Sequence, residues 1–175
     1  MAKKIGAFVG KFLPPHMGHL SIIDKVLKQC DECVVVVSDN PEKSKKQCEE
    51  ANFPYFNSNQ RLNWFKRHYK NNKKIHFALI DESKIVNSKD FMSDYAKLFW
   101  KSVPYEVNYK YADESYRELN KFFPQCTFVP IDRDAINVHG TNIRQEYEKY
   151  KKFIMPEARE DIEKILNKRV ITECK

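Results

Sequence analysis

Short apolar runs alternate with amphipathic segments along most of this chain. The runs are rich in β-branched and aromatic residues and predict five strands, at residues 5–9, 33–39, 74–81, 106–111 and 127–131. Between them, apolar residues recur at helical spacing in segments after residue 16, at 58–67, at 91–103, around 119 and from 147 onward. This alternation predicts an α/β fold with a doubly wound parallel sheet.

Two segments fit the alternation less well. Residues 41–54 are polar and charged, which predicts a mobile connection rather than a packed element. The C-terminal helix has Ile162, Ile165 and Leu166 at helical spacing. It is expected to pack on the sheet or on a neighbouring subunit, which leaves a homo-oligomer open.

The first strand leads through a turn rich in glycine and proline into the first helix. That turn contains Gly10, Lys11 and Phe12, and His16 and His19 follow at the start of the helix. The two imidazoles project from one helix face, beside backbone N–H groups that have no partner within the helix. The helix dipole favours anions there, and Gly18 leaves the backbone open to a ligand. The stretch therefore predicts a phosphate-binding loop, with simple helix capping by the two histidines as the alternative.

A second strand-to-helix turn lies late in the chain. It has the sequence His139-Gly140-Thr141-Asn142-Ile143-Arg144 and precedes a helical pattern near Gln145. Thr141 and Asn142 are residue types that cap helices, and Arg144 offers a planar donor fork suited to phosphate oxygens. By itself, this turn favours an ordinary helix start with a solvated arginine.

Together the two turns resemble the HxGH nucleotidyltransferase superfamily and, within it, the nicotinamide mononucleotide adenylyltransferase domain of the NadR type. Arg61 and Trp64, Asp132 and Arg133, and the aromatic stretch 147–155 add to that likeness. The resemblance covers nearly the whole chain. It implies a Rossmann-like nucleotidyltransferase fold in a single domain, residues 1–175, with a helical C-terminal part from about residue 145.

The resemblance also implies a reaction. ATP would donate an adenylyl group to nicotinamide mononucleotide, giving NAD and pyrophosphate by in-line attack on the α-phosphate. The catalytic residues implied are Lys11, His16, His19 and Arg144. The residues implied in ATP binding are Gly10, Phe12, His16, Gly18, His19, Gly140, Thr141, Asn142 and Arg144. Mg²⁺ is expected with ATP, held mainly by phosphate oxygens and water rather than by protein ligands.

Acceptor contacts follow from less specific features. Ser38 and Asp39 end the second predicted strand, and Arg61 carries its charge in the first turn of a helix, where it opposes the dipole and indicates a nearby anion or carboxylate. Trp100 offers an indole for stacking on a flat ring, and Lys11 completes the set. The alternatives are a simple strand-end turn for Ser38 and Asp39, a solvated side chain for Arg61 and core packing for Trp100. Members of the NadR type carry a Ser-Ser/Thr-Glu step where this chain has Ala112-Asp113-Glu114, so no contact is predicted there.

Charge limits the range of partners. The net charge is +7, which suits an anionic ligand, but acidic residues are interspersed and no polybasic arm forms. A nucleic-acid partner is therefore not expected. Two alternatives remain: adenylyl or cytidylyl transfer to another phosphorylated acceptor such as phosphopantetheine, and a non-catalytic nucleotide- or nucleic-acid-binding protein.

Cysteine usage and hydropathy indicate the cellular compartment. Five cysteines form an odd set without a paired framework, which favours reduced thiols, although Cys30 and Cys33 leave a redox or zinc role open. No apolar run is long enough to cross a membrane. The sequence predicts a cytoplasmic protein with no membrane segment.

Overall fold

A computed structural model describes residues 3–131 and 138–173. Five parallel strands form one sheet in the order β3-β2-β1-β4-β5. Their bounds are β1 Ile5–Gly10, β2 Glu32–Asp39, β3 Ile75–Asp81, β4 Tyr109–Ala112 and β5 Thr127–Pro130. The chain winds outward from β1 to β3 and then returns to the other side of β1, so the predicted doubly wound parallel sheet is confirmed.

Helices cover both faces of the sheet. The α-helices are α1 Met17–Gln29, α2 Pro41–Glu50, α3 Ser58–His68, α4 Phe91–Ser102, α5 Gly140–Gln145, α6 Tyr147–Tyr150 and α7 Pro156–Glu173. The 3₁₀ helices are Glu82–Ile85, Glu114–Phe122 and Lys151–Phe153. Apolar residues of α1, α3 and α7 pack on one face, and those of α4 and the 3₁₀ helix Glu114–Phe122 pack on the other.

The alternation of strand side chains builds two cores. Phe8 and Val35 point to the α1 face, whereas Ala7 and Val34 point to the α4 face, and all four are buried. A strand buried on both faces needs apolar residues at nearly every position. That requirement explains why the run Cys33-Val34-Val35-Val36-Val37 was recognisable as a central strand.

The segment expected to be a mobile connection is largely helical. Residues Pro41–Glu50 form α2, because Asn40 caps it by accepting a hydrogen bond from the Lys43 N–H at 3.1 Å and Pro41 suits the first helical position. Its buried residues are Ser44 and Cys48. Since both are small and not strongly apolar, the segment shows no conventional hydrophobic periodicity.

The C-terminal helix packs on α3 of its own chain. The Trp64 Nε1–H donates to Asp161 at 2.8 Å, and Arg67 donates to the same carboxylate at 2.7 Å. One turn away, His68 and Glu157 are in contact at 2.9 Å. This interface joins the C-terminal part to the layer of helices beneath the turn between β1 and α1.

The cysteines of the described part of the chain are buried thiols. Burial raises the pKa of Cys33 to about 12 and also raises that of Cys30, so neither is a thiolate at neutral pH. Cys174 lies outside the described residues. Within residues 3–131 and 138–173 no group of three or more His, Cys, Asp or Glu side chains forms a metal site, and no helix there is long and apolar enough to span a membrane.

Gly6 in β1 provides a test of this packing. A Cβ at this position would lie 2.6 Å from Val26 Cγ1 and 2.9 Å from Tyr111 Cε2, both in the core beneath α1. We expect Gly6→Ala to lower the free energy of unfolding by about 1–3 kcal/mol, the usual cost of overpacking, as measured by urea denaturation.

The matched control is Lys25→Ala, on the exposed face of α1. It should change stability by less than about 0.5 kcal/mol. Equal stability of the Gly6→Ala variant and the wild type would show that α1 can move away from the sheet without cost.

Candidate active site

A crevice opens at the carboxyl edge of the sheet, beside β1 and β4. This is the point at which the strand order reverses, where open α/β sheets bind ligands. The crevice encloses about 420 Å³, within the range of roughly 300–1,000 Å³ that is typical of small-molecule sites. Its lining comes from the ends of β1, β2 and β4, the starts of α1, α4 and α5, and the 3₁₀ helix after β4.

Phe12 anchors the turn between β1 and α1. Its φ of 51° lies in the left-handed region, which a bulky side chain adopts only when packing enforces it. The buried ring meets Phe8 and Phe65 edge-on, with centroid distances of 5.3 and 4.9 Å. It also lies over Gly10, where a Cβ would come within 2.9 Å of Phe12 Cε1. The shape of the turn is therefore fixed by the core beneath it.

The two histidines lie together at the start of α1. His16 is the N-cap residue, and its ring centroid is 3.7 Å from that of His19. The His16 backbone N–H donates to His19 Nδ1 at 3.2 Å. Because Nδ1 accepts this hydrogen bond, the ring proton of His19 resides on Nε2, which makes Nε2 a donor.

Arg61 and Asp39 form a buried ion pair behind the turn. Their side chains are 0% and 1% exposed, and the Arg61 guanidinium also donates to the Lys11 carbonyl. Ser44 Oγ donates to the other side of the Asp39 carboxylate. Neither Arg61 nor Asp39 lines the crevice, so their position does not support the expected acceptor contact; they hold the turn in place instead.

The second turn packs directly against the first. Arg144 Nη1 donates to the Leu13 carbonyl at 2.5 Å, and Nη2 lies 3.3 Å from Thr141 Oγ1. Gly140 permits this approach, since a Cβ there would lie 2.8 Å from the Leu13 oxygen. The helix N-cap is His139 rather than Thr141 or Asn142 as expected, and α5 begins at Gly140.

The crevice brings together most of the residues implied in ATP binding and catalysis. Its lining includes Gly10, Lys11, Phe12, His16, Gly18, His19, Gly140, Thr141 and Arg144. Burial lowers the pKa of Lys11, while Glu82 and Asp39 act in the opposite direction, and its Nζ lies 3.5 Å from Gln47 Oε1. Burial likewise lowers the pKa of Arg144.

Other expected contacts lie elsewhere. Trp100 packs against Phe99 and Phe123, with centroid distances of 5.1 and 5.9 Å, and does not line the crevice, so stacking on an acceptor is not supported by its position. Asn142 is also outside the lining, and its carbonyl accepts the N–H of Glu146 at 2.8 Å. Asp132 and Arg133 fall outside the described residues.

Several lining residues were not identified from the sequence. Glu82 and Tyr95 lie on either side of Ser38, which was predicted to lie at the carboxyl edge of the sheet. Lys110 of β4 also lines the crevice. Lys110 is 2% exposed, its Nζ has no hydrogen-bond partner and lies 3.6 Å from the Phe123 centroid, and burial lowers its pKa to about 8. A lysine inside a central parallel strand is the sequence signal that could have marked it.

The five-stranded parallel sheet has the Rossmann-like nucleotidyltransferase fold, with the crevice and the histidine-bearing helix start at its carboxyl edge. The chain belongs to the cytidylyltransferase-like family, whose model matches residues 7–163. The predicted superfamily and the predicted likeness to NadR are thereby confirmed.

Two curated relatives carry the names of different activities. The chain is 23% identical over 164 residues to the trifunctional NAD biosynthesis/regulator protein NadR of Salmonella typhimurium, an alignment that covers 90% of this chain and 40% of that protein. It is 25% identical over 146 residues to the phosphopantetheine adenylyltransferase of Fusobacterium nucleatum, covering 81% of this chain and 82% of that protein.

Solved structures share the fold. A NadR protein in complex with NAD and AMP-PNP superposes with a TM-score of 0.71 at 21% identity, covering 88% of this chain and 45% of that one. A bifunctional NMN adenylyltransferase/ADP ribose pyrophosphatase from Francisella tularensis gives 0.69 at 14% identity, covering 95% of this chain and 50% of that one. The chain thus spans half or less of the NadR-type and bifunctional proteins that it matches.

The buried ion pair yields a stability prediction. We expect Arg61→Met to lower the free energy of unfolding by roughly 3–5 kcal/mol, because it leaves the Asp39 carboxylate buried without its cation. Chemical denaturation at neutral pH measures the loss.

The same substitution at Arg67 is the matched control. Arg67 lies later in α3 and pairs with Asp161 and Glu160, but its side chain is 36% exposed, so Arg67→Met should cost less than about 1 kcal/mol. An Arg61→Met variant no less stable than Arg67→Met would show that the buried pair does not hold the turn.

Proposed function

We propose that this protein is an ATP-dependent adenylyltransferase that transfers AMP from ATP to nicotinamide mononucleotide, forming NAD and pyrophosphate. The observation that carries the proposal is the convergence of His16, His19 and Arg144 on one crevice at the start of α1. The likeness to the NadR protein of Salmonella typhimurium supports nicotinamide mononucleotide as the acceptor.

The reaction needs positioning and charge stabilisation rather than an enzyme nucleophile. The acceptor phosphate attacks the α-phosphorus of ATP in line, and pyrophosphate leaves with the electron pair of the broken P–O bond. We assign the Nε2–H of His19 to donating to the phosphates, and the first backbone N–H groups of α1 add to it. These groups stabilise the negative charge that shifts to the leaving pyrophosphate.

Cationic side chains complete the site from either side. Arg144 donates to the Leu13 carbonyl through Nη1, and its Nη2 lies beside Thr141; we assign these two residues to binding the β- and γ-phosphates. We assign Lys11, whose Nζ lies near Gln47, to neutralising the acceptor phosphate. Burial lowers the pKa of Lys11, and a dianionic phosphate beside it would favour its charged form.

Mg²⁺ would accompany ATP. The part of the chain that the structure describes holds no cluster of three or more metal-binding side chains, so phosphate oxygens and water would supply most of its ligands. The ion would neutralise charge on the triphosphate. A homo-oligomer and nucleic-acid binding are not needed for this activity.

The acceptor can be identified by measuring pyrophosphate release from ATP and Mg²⁺ with a panel of acceptors. The panel comprises nicotinamide mononucleotide, nicotinate mononucleotide, phosphopantetheine and glycerol 3-phosphate. We expect rapid release with nicotinamide mononucleotide and NAD as the product. Release with phosphopantetheine alone would instead assign the activity of the Fusobacterium nucleatum relative, and no release with any acceptor would favour a nucleotide-binding protein without catalysis.

The contribution of His19 to catalysis can be measured separately from its contribution to ATP binding. We expect His19→Ala to lower kcat by roughly 10²-fold or more, with a smaller change in the KM for ATP, because its donor acts mainly on charge that develops in the transition state. Steady-state kinetics with ATP as the varied substrate measure both constants.

His68→Ala is the matched control. His68 lies in α3 and contacts Glu157, away from the crevice, so this change should leave kcat within about two-fold of the wild type. A His19→Ala variant that loses only ATP affinity would assign His19 to ground-state binding.

A further inference from the structure

The end of the crevice beside α4 contains a carboxylate among aromatic side chains. Glu82 lines it together with Phe91, Tyr95 and Tyr116. Phe91 and Tyr116 are 40% and 53% exposed, and the Phe91 and Tyr95 rings are stacked with centroids 6.1 Å apart. A carboxylate in a crevice for phosphates is unexpected, since it repels the phosphates of both substrates.

Hydrogen bonds fix Glu82 in this place. The Tyr95 hydroxyl donates to Ser38 Oγ at 3.0 Å, and Ser38 Oγ donates to Glu82 Oε1 at 2.7 Å. Burial raises the pKa of Tyr95, so its hydroxyl remains a donor. The chain of bonds runs from α4 through the end of β2 to the residue after β3, and it orients the carboxylate at the aromatic end of the crevice.

Among the described residues, the two lysines that line the crevice each have another partner. Lys110 lines the same crevice, but its Nζ is covered and packs on the Phe123 ring at 3.6 Å. Lys11 is attracted by Glu82, yet its Nζ hydrogen-bonds to Gln47, and the acceptor phosphate is its proposed partner. A cationic group of a ligand in the crevice would complement the carboxylate.

We propose that Glu82 selects an acceptor whose ring is cationic and carries an uncharged substituent. A pyridinium ring gains from aromatic faces through cation–π attraction and from a carboxylate through charge. Nicotinamide mononucleotide offers this ring with a neutral carboxamide. Nicotinate mononucleotide carries a carboxylate on the same ring, which Glu82 repels. The inference rests on the proposed function and adds a preference between these two acceptors.

The test compares the two nucleotides in one enzyme. We expect the wild type to have a higher kcat/KM for nicotinamide mononucleotide than for nicotinate mononucleotide. Glu82→Gln keeps the size of the side chain and an acceptor for Ser38 but removes the charge. It should raise the ratio of nicotinate to nicotinamide kcat/KM by roughly 10- to 100-fold, mainly through the KM values of the two acceptors.

Glu106→Gln is the matched control. It changes the net charge of the protein equally, but Glu106 is exposed and does not line the crevice, so the ratio should remain that of the wild type.

Ser38→Ala is a second test. It removes the hydrogen bond that orients Glu82 and should shift the ratio in the same direction as Glu82→Gln, by a smaller factor. Because each ratio is measured on one preparation, partial loss of folded enzyme cancels from it.

The outcomes separate two kinds of failure. A wild type that uses nicotinamide mononucleotide, with an unchanged ratio in Glu82→Gln, overturns the role of Glu82 alone. An equal shift in Glu106→Gln overturns it as well, since net charge would then be the cause. A wild type that uses neither pyridine nucleotide overturns the proposed function and this inference with it.

Discussion

The geometry of the crevice depends on the buried ion pair between Arg61 and Asp39. The pair joins the first turn of α3 to the end of β2, and through the Lys11 carbonyl it also holds the turn that follows β1. Burying two charges costs several kcal/mol each in desolvation, so such a pair is a poor source of net stability. Its role is to fix relative positions. Because Ser44 binds the other oxygen of the Asp39 carboxylate, the pair holds β2, α3 and the turn after β1 in one arrangement. The position of the turn between β1 and α1 follows from that arrangement.

The opposite side of the loop is built by residues far along the chain. Arg144 binds the Leu13 carbonyl, the Met155 N–H donates to the Pro15 carbonyl at 3.1 Å, and His16 forms an isolated antiparallel bridge with Ile154. The loop is therefore clamped between α3 and the C-terminal segment, which also pack on each other through Trp64 and Asp161. A preorganised donor array needs such support, because donors that must reorient during the reaction lose most of their effect.

The sequence predicted the elements whose burial requires a run of apolar residues. It missed an element whose buried residues are small, and it could not identify partners that are distant along the chain. Strands covered on both faces must be apolar throughout, so β1 and β2 were recognisable. The helix α2 was not, since its buried residues, Ser44 and Cys48, are small. The charge of Arg61 in a helix first turn did indicate a nearby carboxylate, but local rules could not show that the carboxylate is Asp39 rather than a ligand. Trp100 illustrates the same limit, because composition cannot distinguish a core indole from one in a crevice.

The two walls of the crevice have different chemistry because successive strand residues point to opposite faces of the sheet. Phe8 and Tyr111 belong to the core beneath α1, which supports the histidines, whereas Ala7 lies in the core beneath α4, where Lys110 packs on Phe123. Under the proposed function, substitutions on the α4 side of the crevice would change the acceptor contacts and leave the phosphate contacts on the α1 side in place. Such a division would let one reaction be kept while its acceptor varies, and the two curated relatives carry names from NAD biosynthesis and from phosphopantetheine adenylylation. At 23–25% identity to the curated relatives, the residues on the α1 side of the crevice support a class of reaction. Only the residues on the α4 side bear on the choice of substrate.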